Sequence, residues 1–113
     1  MKFLLSQVEL EQLLGLQESA EPVPDFAVIY FTASWCGACR SLDLDRLERT
    51  VFQPTWYKCD VDQNQYSPGY CNVRAIPTFI VIYNKKVQDT LQHNNTDKVI
   101  EWLRGHVDAA VKK

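Results

Sequence analysis

The sequence predicts an α/β fold, with a central mixed sheet of four to five strands sandwiched by helices. Two observations support this prediction. Helical periods and apolar runs alternate in the order α-β-α-β-short helix-β-β-α. The run 26–31 is continuously apolar and aromatic, as expected of a strand buried on both faces. With 113 residues, of which 46% are hydrophobic and 23% charged, the chain is expected to form one domain over 1–113.

The first helix is predicted at about 7–18, where leucines recur at roughly helical spacing. Ser6 is suited to be its N-cap, and Glu9 would reach back to complete a capping box. Two prolines end this helix and lead into the strand 26–31.

The middle of the chain alternates between the same two patterns. A second helix is predicted over 36–51, because three aliphatic residues there share one helical face. A strand follows at 56–61, and the polar, turn-rich stretch 63–72 is expected to hold one helical turn. Next come a clear strand at 78–83 and a more polar strand at 87–92, which is typical of a sheet edge.

The last helix is predicted at about 97–110, with four aliphatic residues on its buried face. Thr96 is the expected N-cap. Asp97 would lie in the first turn, where a carboxylate interacts favourably with the helix dipole.

Charge and hydropathy exclude several functions. The chain has 12 basic and 14 acidic side chains and a net charge of −2, which argues against the basic face of a nucleic-acid binder. No apolar run approaches the ~20 residues that span a bilayer. The start is basic and then apolar, but Glu9 and Glu11 follow too soon for a signal peptide. We therefore expect a cytoplasmic protein that binds neither nucleic acid nor a membrane.

The strongest chemical signal is the segment Cys36-Gly37-Ala38-Cys39, at the predicted junction of a buried strand and a helix. The helix dipole and the unpaired N–H groups at a helix start both favour the thiolate, which is the nucleophile in disulfide exchange. The spacing allows a disulfide across one helical turn. We expect Cys36 to be the more exposed, attacking thiol and Cys39 to be the shielded, resolving thiol.

The other two cysteines leave further interpretations to weigh. A zinc site is usually built from two close pairs of ligands, but eleven residues separate Cys59 from Cys71. His93 and His106 have no ligand spacing to either pair of cysteines. A disulfide between Cys59 and Cys71 is disfavoured in a reducing compartment. We therefore predict no metal site and two partly buried thiols, of which Cys71 is a candidate for oxidation.

Three segments resemble the thioredoxin family: 31–40 with Trp-Cys-Gly-Ala-Cys, then 60–64, then 73–79 with Ile-Pro-Thr. The resemblance covers essentially the whole chain. It implies the thioredoxin fold and thiol–disulfide oxidoreductase activity, with no cofactor besides the redox-active disulfide of Cys36 and Cys39. It also implies a monomer that acts on disulfide-containing protein substrates and receives electrons from a partner similar to thioredoxin reductase.

The resemblance further assigns residues around the cysteine pair. The flank of the active site would comprise Trp35, Gly37, Ala38, Lys58 and Asp62. The substrate strand would bind at Ala75, Ile76 and Pro77. The family buries the lysine that corresponds to Lys58, and it has a cis peptide bond at the position of Ile76 and Pro77. An ordinary proline at the start of a strand is the alternative for Pro77.

Departures from the family pattern carry their own expectations. The family usually buries an Asp six residues before the attacking cysteine, where this chain has Tyr30. A phenol is a poor base near neutral pH, so we expect slower attack by Cys39 on the mixed disulfide. Ala38 replaces the usual proline and restores a backbone N–H near the attacking sulfur. This donor should make the Cys36–Cys39 couple more oxidising than that of thioredoxin, whose reduction potential is about −270 mV.

Two departures concern the backbone. Leu44 replaces a proline that kinks the second helix in the family, so that helix is expected to be short and straighter. Glycines are missing near Lys85 and His93, where Asn84 and Asn94 are expected to supply the turns.

Three functions fit these observations. The first is a protein disulfide reductase of the thioredoxin type. The second is a thioredoxin-fold binding or adaptor module with weak or no redox turnover, which the loss of the buried acid at Tyr30 favours. The third is an oxidase or isomerase, against which the missing signal peptide counts.

Overall fold

A five-stranded mixed sheet lies at the centre of this computed structural model, which describes residues 1–111. Its strands are β1 (Lys2–Phe3), β2 (Phe26–Thr32), β3 (Thr55–Asp60), β4 (Thr78–Tyr83) and β5 (Lys86–Gln92). The strand order is β1-β3-β2-β4-β5, with β1, β3 and β2 parallel and the remaining two neighbouring pairs antiparallel. Lys112 and Lys113, the end of the domain predicted over 1–113, lie outside the described residues.

Helices cover both faces of the sheet. They are α1 (Gln7–Leu13), α2 (Leu44–Thr50), α3 (Tyr66–Tyr70) and α4 (Thr96–Val111), together with a 3₁₀ turn at Ala38–Ser41. Helices α2 and α4 pack on one face, where Leu47 and Leu103 are fully buried. Helix α1 packs on the other face through Leu10 and Leu13. The predicted α/β sandwich is therefore confirmed.

The N-terminal region differs from the prediction in two places. The short strand β1, which pairs with β3, was not predicted because two exposed residues give no periodic signal. Helix α1 ends at Leu13 rather than near residue 18. Gly15 has a φ of +71°, a left-handed conformation that ends helices and favours glycine. Leu16 continues the leucine spacing, but it is 57% exposed and lies outside the helix.

The N-cap of α1 is partly as predicted. The Ser6 hydroxyl accepts a hydrogen bond from the backbone N–H of Glu9 at 3.3 Å. The Glu9 carboxylate accepts from the N–H of Leu5 at 3.2 Å, one residue before the donor that a capping box uses.

The predicted helix 36–51 is two elements. Leu42 is extended after the 3₁₀ turn, and α2 then starts with Asp43 as its N-cap. The Asp43 side chain accepts from the N–H of Arg46 at 3.1 Å, while the Asp43 N–H donates to the Thr96 hydroxyl at 3.0 Å. These bonds interrupt the helix without a proline. The second helix is short, as expected, but the predicted helix 36–51 is interrupted rather than straighter.

The start of α4 also differs from the prediction. Its cap is Asn95, whose side chain accepts from the N–H of Lys98 at 3.0 Å. Thr96 is the first residue of the helix, and its hydroxyl is used by α2 instead. The other predicted elements are confirmed within one residue at each end, and α3 is the helical turn expected in 63–72.

Among residues 1–111, left-handed backbone occurs at three positions that are not glycine. Asn84 has a φ of +52°, as expected from the sequence, and Lys85 follows at +65° in the turn between β4 and β5. Asn72, at +57°, was not predicted. Asn94 is not left-handed, so the expectation for that residue was wrong.

Candidate active site

The two cysteines of the Cys-Gly-Ala-Cys segment form a disulfide just after β2. Their Cα atoms are 5.3 Å apart. The backbone N–H of Cys36 donates to the carbonyl of Ala33 at 3.1 Å, which fixes the bend between β2 and the 3₁₀ turn. The backbone N–H of Cys39 donates to the Cys36 Sγ at 3.1 Å. Hydrogen-bond donation to this sulfur stabilises negative charge on it.

Three expectations about this segment need correction. Cys36 and Cys39 are 5% and 7% exposed, so exposure does not distinguish an attacking thiol from a shielded one. The element after Cys36 is a four-residue 3₁₀ turn rather than a long helix, so the local N–H of Cys39 replaces the expected helix dipole. The donor to sulfur was expected at Ala38 and is Cys39.

Trp35 and Asp62 are brought together beside the disulfide. The indole of Trp35 is 64% exposed, and its Nε1 donates to the Asp62 carboxylate at 2.8 Å. The backbone N–H of Asp62 in turn donates to the Asp60 side chain at 2.9 Å. This chain of hydrogen bonds joins the loop before the disulfide to the end of β3.

An open groove of about 750 Å³ lies against the disulfide. Its walls come from the disulfide loop, from α3 and from the segment before Pro77, and include Cys36, Pro68, Ala75 and Ile76. Ala75 is exposed, Ile76 is half-buried and Pro77 is buried. The peptide bond between Ile76 and Pro77 is cis. Sequence reasoning missed the contribution of α3, because 63–72 was interpreted as a polar turn region. Gly69, which lines the groove, could have suggested a position where a ligand approaches the backbone closely.

Tyr30 lies in the core cluster that also contains both cysteines of the disulfide. Its side chain is 1% exposed and stacks on Phe79, with ring centroids 5.0 Å apart. The hydroxyl donates to the Thr32 hydroxyl at 3.1 Å. Burial raises the pKa of Tyr30 above 10.0, although the hydrogen bond to Thr32 acts to lower it. The phenol is therefore protonated near neutral pH.

Lys58 is next to Tyr30 in the register of β2 and β3. The resemblance implied a buried lysine, but Lys58 is half-buried. Its ammonium lies 5.8 Å from the centre of the Phe3 ring, a cation–π contact at the edge of the sheet. The place of Lys58 in the flank of the active site stays a prediction.

The remaining cysteines are free thiols. Cys59 is fully buried, and this burial raises its pKa to about 12, with smaller effects from Cys71 and Asp60. Cys71 is half-buried, and burial raises its pKa to about 11. Both are protonated near neutral pH and are weak nucleophiles. Within residues 1–111 no group of three or more His, Cys, Asp and Glu side chains could hold a metal ion.

Comparison with known proteins agrees with the fold and with the disulfide described above. The family model of thioredoxin matches residues 16–105. This chain belongs to the thioredoxin family. Thioredoxin of Mycoplasmoides gallisepticum is 34% identical over 92 residues, which are 79% of this chain and 84% of that protein. The solved structure of Fasciola hepatica thioredoxin superposes with a TM-score of 0.78 and 30% identity, covering 94% of this chain and 99% of that one.

One match is to a much longer protein. A peptide-N(4)-(N-acetyl-beta-glucosaminyl)asparagine amidase of Caenorhabditis briggsae is 27% identical over 100 residues. These residues are 87% of this chain but 16% of the amidase, so the similarity concerns a small part of that protein.

Family membership and the disulfide together support thiol–disulfide oxidoreductase activity. Thioredoxins need no bound cofactor for this chemistry, because their own dithiol–disulfide couple carries the two electrons. Among residues 1–111, no helix is both long and apolar enough to cross a membrane.

Proposed function

We propose that this member of the thioredoxin family is a protein disulfide reductase in which Cys36 is the attacking thiol and Cys39 is the resolving thiol. The Cys36 thiolate attacks a substrate disulfide, forms a mixed disulfide and releases one substrate thiolate. The Cys39 thiolate then attacks the Cys36 Sγ, which closes the Cys36–Cys39 disulfide and releases the second substrate thiolate. Two electrons pass to the substrate, whose thiolates are protonated by solvent. The observation that carries the proposal is the disulfide at the wall of an open groove.

Two contacts support these roles for the cysteines. Cys36 lines the groove and Cys39 does not, so a substrate disulfide in the groove would meet Cys36 first. The N–H of Cys39 donates to the Cys36 sulfur, and the same donor would favour the thiolate of Cys36 in the reduced protein.

The segment before Pro77 is the proposed binding edge for the substrate. Ala75 and Ile76 line the groove, and Ala75 is exposed. Gly37 and Ala38 also line the groove and bring no bulky side chain to it, and Trp35 is a further lining residue. An extended disulfide-containing segment fits this shape. A partner similar to thioredoxin reductase would restore the dithiol, and a cytoplasmic location stays a prediction.

The environment of Tyr30 supports the expectation that the second step, the attack of Cys39 on the mixed disulfide, is slow. Its phenol is protonated and bonded to Thr32, so it cannot accept the proton of the Cys39 thiol at neutral pH. The mixed disulfide should therefore persist longer than it would beside a carboxylate.

A redox titration tests the reductase proposal. The protein is equilibrated in dithiothreitol and glutathione buffers while Trp35 fluorescence is recorded, with Cys36→Ser as the control. A reversible two-electron transition between about −290 and −220 mV is expected. A potential near −180 mV or above would indicate oxidase or isomerase chemistry instead. Absence of a reversible transition would contradict the enzyme proposal.

A binding or adaptor module is the second candidate, and the neutral phenol at Tyr30 is the observation that favours it. The Cys36→Ser variant separates the two functions. A partner that binds this variant as well as the wild type, with its cellular role preserved, would favour the adaptor. Loss of that role on removal of the thiol supports the reductase.

A further inference from the structure

Arg74 carries the one charged side chain among the described residues that line the groove. The other walls are apolar side chains, glycines, the disulfide sulfur and the Gln65 amide. Arg74 is exposed and comes directly before Ala75 and Ile76 on the proposed binding edge. A substrate segment lying along that edge would pass the guanidinium.

The guanidinium is held from one side. Its Nε donates to the Asn72 side chain at 3.3 Å. Asn72 has a φ of +57°, and non-glycine residues in this conformation are often found at functional sites. In the part of the chain that the structure describes, Arg74 forms no ion pair. Its two terminal nitrogens therefore stay available for a carboxylate, which arginine binds in bidentate geometry.

The carboxylates near the groove already have donors. Asp62 accepts from the Trp35 indole, and Asp60 accepts from the Asp62 N–H. Neither lines the groove, so the charge that an incoming substrate meets there is the positive charge of Arg74. Arg40, the other arginine close to the disulfide, donates to the Ser34 carbonyl at 3.4 Å and lies outside the groove.

We propose that Arg74 determines specificity by favouring disulfide substrates that carry a carboxylate next to the reactive cystine. The inference rests on the proposed reductase activity and adds the substrate class to it. The apolar walls would accept many extended segments. The exposed guanidinium would select among them through a charge-assisted hydrogen bond and would steer acidic substrates during encounter.

A pair of synthetic peptides tests the inference. Both are closed by one disulfide and have the same sequence, except that the residue next to one half-cystine is Glu in one and Gln in the other. Reduced protein in excess supplies the two electrons, and peptide thiols are measured over time. We expect wild-type protein at low salt to reduce the Glu peptide about threefold to tenfold faster than the Gln peptide.

Two variants locate the effect. In Arg74→Gln the ratio of the two rates should fall to about one, because the carboxylate loses its donor. In the matched control Arg40→Gln the ratio should persist. At about 0.5 M salt the wild-type ratio should shrink, since the charges on an exposed pair are screened.

The experiment distinguishes failure of the proposed function from failure of the inference about Arg74. Wild-type protein that reduces neither peptide would overturn the proposed function and the inference with it. Reduction of both peptides at equal rates would overturn the inference alone. So would a Glu preference that survives in Arg74→Gln, or one that Arg40→Gln abolishes as completely as Arg74→Gln does.

Discussion

At the scale of single residues, Tyr30 lies in the same core cluster as the two cysteines of the disulfide. The ring is fully buried, stacked on Phe79 and tied to Thr32, so it serves packing. Its raised pKa keeps the phenol out of proton transfer near neutral pH. The ring and the hydroxyl can be separated by mutation, which shows whether either one affects the chemistry of Cys39.

We predict that Tyr30→Phe leaves the lifetime of the mixed disulfide unchanged within about twofold, because the hydroxyl takes no proton. Tyr30→Asp should shorten that lifetime, since a carboxylate can deprotonate the Cys39 thiol. The Asp variant should also be less stable, by about 3–5 kcal/mol, because it leaves a cavity and buries a polar group. Quenched-flow trapping with a disulfide peptide measures the lifetime, and denaturant unfolding measures the stability. A large change in Tyr30→Phe would show that the hydroxyl does participate.

The two free thiols give a pH prediction. In the reduced protein at pH 8, iodoacetamide should modify Cys36 well before Cys71 and Cys59, whose pKa values of about 11 and about 12 keep them protonated. In the unfolded chain these two thiols ionise near pH 9, whereas in the folded protein they stay protonated until the pH approaches about 11 to 12. Above about pH 9 the unfolded state therefore binds fewer protons than the folded state. Stability should therefore fall as the pH rises above about 9. Peptide mapping by mass spectrometry gives the order of modification. Early labelling of Cys71 would contradict the prediction.

At the scale of elements, the end of α1 depends on one glycine. Gly15 has a φ of +71°, and a Cβ there would lie 2.8 Å from the Lys85 Cδ in the turn between β4 and β5. Gly105, in contrast, lies within α4 with open space around its Cα. The same substitution should thus have opposite effects at the two sites.

We predict that Gly15→Ala destabilises the protein by about 1–2 kcal/mol and that Gly105→Ala stabilises it by about 0.5–1 kcal/mol. Thermal unfolding monitored by circular dichroism measures both. The double variant Gly15→Ala with Lys85→Ala removes the close contact and keeps the backbone cost. If the double variant loses no stability beyond that of Lys85→Ala alone, the contact with Lys85 accounts for the whole effect.

The comparison of prediction and structure is also clearest for elements. The strands at 26–31 and 78–83 were predicted almost to the residue, because continuous apolar runs leave few alternatives. The break at Asp43 was missed, since it depends on a hydrogen bond to Thr96, which is 53 residues away. Substrate binding at Ala75, Ile76 and Pro77 was expected only through the family resemblance. The wall that α3 adds to the groove and the hydrogen bond from Arg74 to Asn72 depend on loop geometry that no periodicity encodes.

At the scale of the whole molecule, the sheet joins two separate hydrophobic cores. Strand β2 contributes Val28 and Tyr30 to the core under α2 and α4, and Ile29 and Phe31 to the core under α1. Every residue of β2 from 27 to 31 is at most 1% exposed. Neither core can lose its packing without exposing the reverse side of the same strand, so the two should unfold together.

We predict a single two-state transition in guanidinium for the reduced protein. Trp56 reports on one core and the Cys59 thiol on the other, and these side chains are 6% and 0% exposed. Trp56 fluorescence is recorded in a Trp35→Phe, Trp102→Phe background, and Cys59 accessibility is measured by pulsed thiol labelling with peptide mapping. Coincident midpoints are expected, because β2 makes burial on each face depend on the other. Labelling of Cys59 at a lower guanidinium concentration than the Trp56 transition would mean that the α1 side opens first and that the shared strand does not couple the two cores.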